Sequence, residues 1–350
     1  MATRQRLDVN ERMAEVPAVT ATAQRGAVLQ LQGRALGANS GIPLDLDWVE
    51  GVRINTSAVE RRAATLVARR TVKKDWQVAW LLRAITCMDL TTLSGDDSDE
   101  RVRRLCAKAI HPVSASVTGL LGIEELAVQV AAVCVYHHFV ATARRALEAT
   151  PIRVAAVSAG FPAGLNALEE RLAEIRRSVD AGADEIDVAI TRAHVFAGEW
   201  QRLYDEVAAF KAACGKAQCK VILGTGDLAT LRNVGRASVV AMMAGADFIK
   251  TSTGKEAVNA TLPVGVVMAR AIREYSQRTG MAVGFKPAGG IRTARQSLDW
   301  LALMKEELGH SWLGPQLFRI GASGVLGDIE RQLEFHGSGR YSASYHHPLA

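Results

Sequence analysis

A chain of 350 residues that is 49% hydrophobic and 22% charged has the composition of a soluble globular protein, long enough for one large domain or two ordinary ones. Its net charge of +6 comes from pairs such as Arg61-Arg62, Lys73-Lys74 and Arg103-Arg104 spread over helical sequence, with no basic tract interleaved with aromatics, so no nucleic-acid partner is expected. No uncharged apolar run reaches the ~18 residues that span a bilayer, which excludes a membrane helix.

Residues 1 to 41 mix Arg4, Arg6, Arg12, Arg25 and Arg34 with Gln, Ala, Thr and Gly, and show no sustained periodicity. They are expected to be a mobile, disordered extension. Asp8, Glu11 and Glu15 argue against a transit peptide, a class of segment poor in acids. From Ile42 the pattern changes, and residues 42–350 are expected to form a single domain. Ser57 to Arg70 reads as an N-terminal helix with Ser57 as its cap.

Short apolar runs then alternate with longer amphipathic stretches. The runs cover 84–90, 129–136, 153–159, 185–190, 220–223, 247–251, 282–286 and 317–321, and helical patterns at about 101–109, 138–149, 165–181, 199–214, 227–244, 258–279, 293–308 and 323–335 follow them. Eight such units over ~250 residues predict the α/β class and a (β/α)8 TIM barrel. The polar and Gly-rich clusters all come after the apolar runs, at Asp89-Leu-Thr-Thr92, Gly224-Thr-Gly226, Thr251-Ser-Thr-Gly254, Pro287-Ala-Gly-Gly290 and Gly321-Ala-Ser-Gly324. They would share the face on which such barrels carry their sites.

Two lysines end neighbouring predicted strands, Lys250 after Phe248-Ile249 and Lys286 after Gly284-Phe285. Two ammonium groups so placed cannot both hold a proton comfortably, and an amine partly removed from water gives up its own. That is the requirement for Schiff-base chemistry. Asp187 lies in the otherwise apolar Glu185-Ile-Asp-Val188, where alternation turns it to the same side as Glu185. It reads either as an acid that passes protons beside a lysine or as half of a buried ion pair. Gly289-Gly290 and Gly321-Ala-Ser323-Gly324 can offer bare N–H groups to a phosphate, with a helix starting after each. Thr253-Gly-Lys255 imitates a P-loop but lacks its first glycine, since Ile stands at 249. Lys255 would then neutralise a phosphate as a point charge. The histidines form no metal triad.

Together Phe248-Ile-Lys-Thr-Ser-Thr-Gly-Lys255, Gly284-Phe-Lys-Pro-Ala-Gly-Gly290, Glu185-Ile-Asp-Val188 and Met88-Asp-Leu-Thr-Thr-Leu93 resemble the deoxyribose-phosphate aldolases, from about Leu44 to the C-terminus. Leu93-Ser-Gly-Asp-Asp97 and Gly339-Arg-Tyr341 are similar to the longer, animal-type branch. The resemblance implies a class I aldolase, a lyase of deoxyribonucleotide catabolism. It would cleave 2-deoxy-D-ribose 5-phosphate reversibly into acetaldehyde and D-glyceraldehyde 3-phosphate, with no metal and no cofactor. Lys250 then matches the Schiff-base lysine, Lys286 the partner that lowers its pKa, and Asp187 the proton-transfer acid. Thr91 and Cys134 match positions near the substrate hydroxyls. Thr253, Lys255, Gly289, Gly290, Gly321, Ser323 and Gly324 complete the substrate-binding set. The chain departs from the family in having Gly324 where a second hydroxyl is frequent, and His137-His138 where proline follows Tyr136. Tyr341 and Tyr345 are both candidates for a catalytic C-terminal tyrosine. A phosphosugar isomerase on the same scaffold is the rival reading. A small-molecule phosphosugar is the expected partner and a homo-oligomer the expected assembly. Five cysteines with neither CxxC nor zinc spacing, and no secretory segment before them, predict a cytoplasmic location.

Overall fold

The computed structural model describes residues 30–31 and 34–348. Eight parallel strands make one sheet: β1 (Met88–Thr91), β2 (Ala132–Tyr136), β3 (Arg153–Ser158), β4 (Glu185–Ala189), β5 (Gln218–Ile222), β6 (Phe248–Lys250), β7 (Gly284–Lys286) and β8 (Ile320–Ala322). Each pairs with the next from β1 to β7, and β8 returns to β1. Parallel bridges Phe285–Phe318 and Ala288–Gly321 join β7 to β8, the N–H of Arg319 donating to Phe285 O (3.0 Å) and that of Gly321 to Pro287 O (2.9 Å). The sheet is thus closed into the TIM barrel the alternation predicts.

A short helical segment at Leu46–Gly51 and two longer helices precede the barrel strands, the longer ones being α1 (Thr56–Arg69) and α2 (Lys74–Thr86). The outer ring is α3 (Asp99–Ile110), α4 (Val140–Ala146), α5 (Leu168–Asp180), α6 (Trp200–Cys214), α7 (Leu231–Met243), α8 (Leu262–Thr279), α9 (Ala294–Leu308) and α10 (Val325–Ser338). Local chemistry sets their starts. Thr261 caps α8 with proline next in its first turn, and Thr293 with Gln296 forms a capping box on α9. No helix among the described residues is long and apolar enough to cross a membrane.

Three expectations need correction. The cap of α1 is Asn55, whose side chain accepts from the N–H of Ala58, and not Ser57. The apolar run at 84–90 is divided: Ala84 to Thr86 close α2, and β1 starts only at Met88. Val78, Leu81, Leu82 and Ile85 are all buried at helical spacing, so burying one helical stripe outweighs the strand-like text. Finally, the end of the expected extension is docked rather than free. Gly37–Ala38 pairs in parallel with Met281–Ala282, just ahead of β7. The buried Asn39 amide donates to Met242 O (3.0 Å) and Ala246 O (2.8 Å), just ahead of β6, and its Oδ1 accepts from the Tyr275 hydroxyl (2.9 Å). Those carbonyls close α7 and its turn, where Met242 O also accepts from the N–H of Gly245 (3.0 Å), so the Asn39 amide ties the extension to the end of the helix. Residues 1–29 and 32–33 of that extension lie outside the described residues.

Candidate active site

Alternation along each strand sends every second side chain into the barrel. In one half of the interior these are small and apolar, Ala132, Cys134, Ala155 and Val157 packing as a cluster of their own. The other half is ionic, although such barrels are mostly filled with bulky aliphatic groups. Asp89, Glu185, Asp187, Lys220, Lys250, Lys286 and Arg319 meet there, each no more than 2% exposed. Glycine makes room at two points. A Cβ on Gly284 would lie 2.3 Å from the Phe248 ring, and one on Gly321 would lie 3.1 Å from Lys286 Cε and 2.8 Å from the Ala288 Cβ.

Lys250 and Lys286 stand in direct register at the ends of β6 and β7. Both ammonium nitrogens lie 2.7 Å from the same oxygen, Asp187 Oδ2, which brings them within twice that distance of each other. Lys286 has a second carboxylate, Asp89 Oδ2, at 2.5 Å, whereas Lys250 has Asp187 alone. That inequality decides how they titrate. Burial drives the pKa of Lys250 down and the charge of Lys286 adds to the effect, against the pull of Asp187. Burial also disfavours the Lys286 ammonium, but Asp187 and Asp89 together outweigh it, and the Lys286 pKa is raised. Asp187 is held well below the carboxylate range: burial would raise it, and Lys250 with Lys286 overcomes that. The arrangement therefore offers one amine biased toward its nucleophilic form beside a permanent cation and a shared proton carrier.

Above the lysines opens a cavity of about 550 Å³, lined by Thr91, Lys250, Thr253, Lys255, Lys286, Gly289, Gly290, Gly321, Ser323 and Gly324, with Arg292 at its rim. Asp187 sits beneath it. Cys134 does not line the cavity but belongs to the small apolar cluster in the barrel, where burial pushes its thiol pKa up. Thr91 is at the wall, its hydroxyl donating to Asp89 O (2.8 Å). Lys255 reaches across to Leu93 O (2.8 Å), joining the loops after β6 and β1.

The backbone donors fall into two groups. The N–H of Thr253 donates to Glu256 Oε1 (2.9 Å) and that of Gly254 to Glu256 Oε2 (3.1 Å), so this turn is already filled by the chain's own carboxylate. Gly289 and Gly321 spend their N–H groups on barrel closure, toward Gly321 O and Pro287 O. The capping box occupies the start of α9. Among the described residues no hydrogen bond engages the N–H of Gly290, Ser323 or Gly324, and α10 begins without a side-chain cap. An anion in the cavity would therefore meet open donors at Gly290, at Ser323-Gly324 and at the positive end of α10.

A family model described as "DeoC/LacD family aldolase" matches residues 83–322. The chain belongs to the DeoC/LacD aldolase family. Curated relatives include the deoxyribose-phosphate aldolases of Mus musculus, 57% identical over 312 residues (89% of this chain, 98% of that protein), and Homo sapiens, 55% identical over 314 residues (89% and 99%). Among solved structures, a tetrameric deoxyribose phosphate aldolase from Aeropyrum pernix shares the fold. It is 22% identical with a TM-score of 0.54, over 80% of this chain and 99% of that one.

Within this DeoC/LacD barrel, sequence reasoning missed Asp89, Lys220, Arg319, Arg292 and Glu256. Asp89 was legible in principle, because Met88-Asp-Leu90 buries an acid by the same alternation that singled out Asp187. Tyr341 stacks on Phe335 (ring centroids 4.3 Å apart) and Tyr345 is 78% exposed; neither lines the cavity.

Proposed function

We propose that the chain cleaves 2-deoxy-D-ribose 5-phosphate reversibly, with Lys250 as the Schiff-base nucleophile, Lys286 as the cation that keeps it deprotonated and Asp187 as the proton carrier. The observation that carries this is the single Asp187 oxygen shared by two buried lysines of unequal pairing under an open cavity. Lys250 Nζ attacks the C1 aldehyde, and loss of water leaves an iminium. The C3 hydroxyl gives its proton to the Asp187–Lys286 couple while the C2–C3 bond breaks, the electron pair passing into the iminium as an enamine. Glyceraldehyde 3-phosphate leaves; C2 takes back a proton and hydrolysis frees acetaldehyde. Thr91 is positioned to meet a substrate hydroxyl, and Lys255 and Arg292 to add charge near the phosphate.

An isomerase would need a free carboxylate base. Among the described residues every buried carboxylate in the barrel is ion-paired, which favours lysine chemistry. The five cysteines, all free and buried, fit the reducing cytoplasm that belongs to the same reading. A homo-oligomer belongs to the same reading.

Borohydride reduction with acetaldehyde, followed by peptide mass mapping, is expected to add one ethyl group at Lys250 in stoichiometric yield; labelling at Lys286 instead would reverse the assignment. Gly290→Val tests the phosphate grip. Gly290 has φ 79°, a left-handed conformation that a β-branched residue resists, and its N–H is one of the open donors. We expect kcat/KM for deoxyribose 5-phosphate to fall by about 100-fold, with unphosphorylated deoxyribose far less affected. Equal losses for both sugars would refute the grip.

A further inference from the structure

The buried ion cluster is unbalanced. Its cations are Lys220, Lys250, Lys286 and Arg319, and its carboxylates are Asp89, Glu185 and Asp187. With every group ionised, the barrel interior would hold one unmatched positive charge, which a water-poor environment opposes strongly. One proton must therefore be given up, and the geometry shows where. Arg319 does not deprotonate, and it is gripped by Asp89 Oδ1 (2.6 Å) and by Glu185 Oε1 (2.6 Å) and Oε2 (3.0 Å). Lys220 contacts Glu185, Asp89 (2.9 Å) and Asp187 (3.5 Å), and Lys286 contacts Asp89 and Asp187. Lys250 alone has a single carboxylate.

We propose that Arg319 and Glu185, on the barrel floor and outside the cavity wall, are positioning residues that set the charge on Lys250 through this ion-pair lattice. The inference rests on Lys250 being the Schiff-base lysine. Arg319 takes Asp89 Oδ1 and both Glu185 oxygens, Lys286 keeps Asp89 Oδ2, and Lys250 is left with Asp187 Oδ2, which it shares with Lys286. Without the Arg319 charge, three cations face three carboxylates, and Lys250 is stable as an ammonium. Without the Glu185 charge the excess grows and Lys250 sheds its proton more readily. The other groups facing the lattice do not alter this balance. Burial keeps the thiols of Cys87, near Arg319, and Cys134, near the lysines, protonated, Cys87 being pushed up to about 11. Arg153 touches Glu185 (3.1 Å) from the floor, but its side chain is 43% exposed and solvated.

The test is the pH dependence of two quantities in the full-length protein: acetaldehyde trapping by borohydride at Lys250, mapped by peptide mass, and kcat/KM. Arg319→Met should raise the midpoint by about one pH unit, and Glu185→Gln should lower it by about as much. The double variant restores the original excess of one cation and should return the midpoint close to wild type, as should Arg319→Lys, which keeps the charge. A purely structural role would lower activity in each variant without moving the midpoints in opposite directions. Midpoints that stay fixed, or that move the same way in both single variants, overturn the inference. If Arg319→Met fails to fold, the acid shift of Glu185→Gln decides alone, and its absence is refutation. Wild-type trapping at a lysine other than Lys250 would remove the Schiff-base assignment itself, a result distinct from an unmoved midpoint.

Discussion

Replacing Lys250 with leucine is expected to lower kcat/KM for deoxyribose 5-phosphate by at least about 10⁴-fold, since covalent catalysis with no nucleophile retains only binding. Leucine occupies similar volume on β6, and the lysine it replaces is 2% exposed. The variant should fold, because Asp187 keeps Lys286 at 2.7 Å and Lys220 at 3.5 Å as counterions. Lys250→Arg should be equally inactive, since a guanidinium keeps the charge but forms no imine at this pH. Steady-state cleavage assays with a circular dichroism control measure both. More than about one-tenth of wild-type activity in either variant would mean that the imine forms elsewhere.

Lys286→Leu should reduce kcat at pH 7 by about 100- to 1000-fold and displace the pH–rate profile toward alkali. The sign follows from the local charges. Lys250 is reactive as the neutral amine, so activity rises as pH passes upward through its pKa. That pKa is depressed by burial and then by Lys286, with Asp187 opposing. Removing Lys286 abolishes one depressing influence and leaves Asp187 Oδ2 to Lys250 alone, so the pKa climbs and less free amine remains at neutrality. Asp89 also loses its 2.5 Å partner, and a lower Tm is expected beside the kinetic change. Turnover measured between pH 6 and 10 separates the two effects: a pure stability defect scales the whole profile down, whereas loss of tuning moves it. An unmoved profile would show that Lys286 does not govern Lys250.

The fold was readable because a barrel strand advertises itself twice, by a short apolar run and by the polar loop beyond it. Lys250, Lys286 and Asp187 were readable for a related reason, each being a charge placed in apolar text. What could not be read was how those charges share partners. Asp89 belongs to β1 and Lys220 to β5, on opposite parts of the chain, and only closure of the sheet puts their side chains 2.9 Å apart. Arg319 drew no notice, because the run from 317 is too short to show which way it faces. Cys134 was placed near substrate by similarity; in the barrel it packs in the apolar cluster, close enough to Lys286 and Lys250 for their charges to act on its thiol. The loop at Thr253 was misleading in another way: its small polar residues resemble an anion cradle, but the carboxylate that fills it, Glu256, comes from the same turn.

The Asn39 tether also has a temporal meaning. Its side-chain amide bonds carbonyls 203 and 207 residues further along the chain, and its neighbours Gly37–Ala38 join a strand pair that begins at Met281. A ribosome therefore delivers Asn39 203 residues before Met242 and 207 before Ala246. The roots of β6 and β7 can thus be clasped only when chain far beyond Asn39 has emerged, and each clasping segment, Met242 to Ala246 and Met281–Ala282, comes just before the lysine of its own strand. A contact of such high sequence separation would then anchor both strands late in folding, in one step instead of strand by strand.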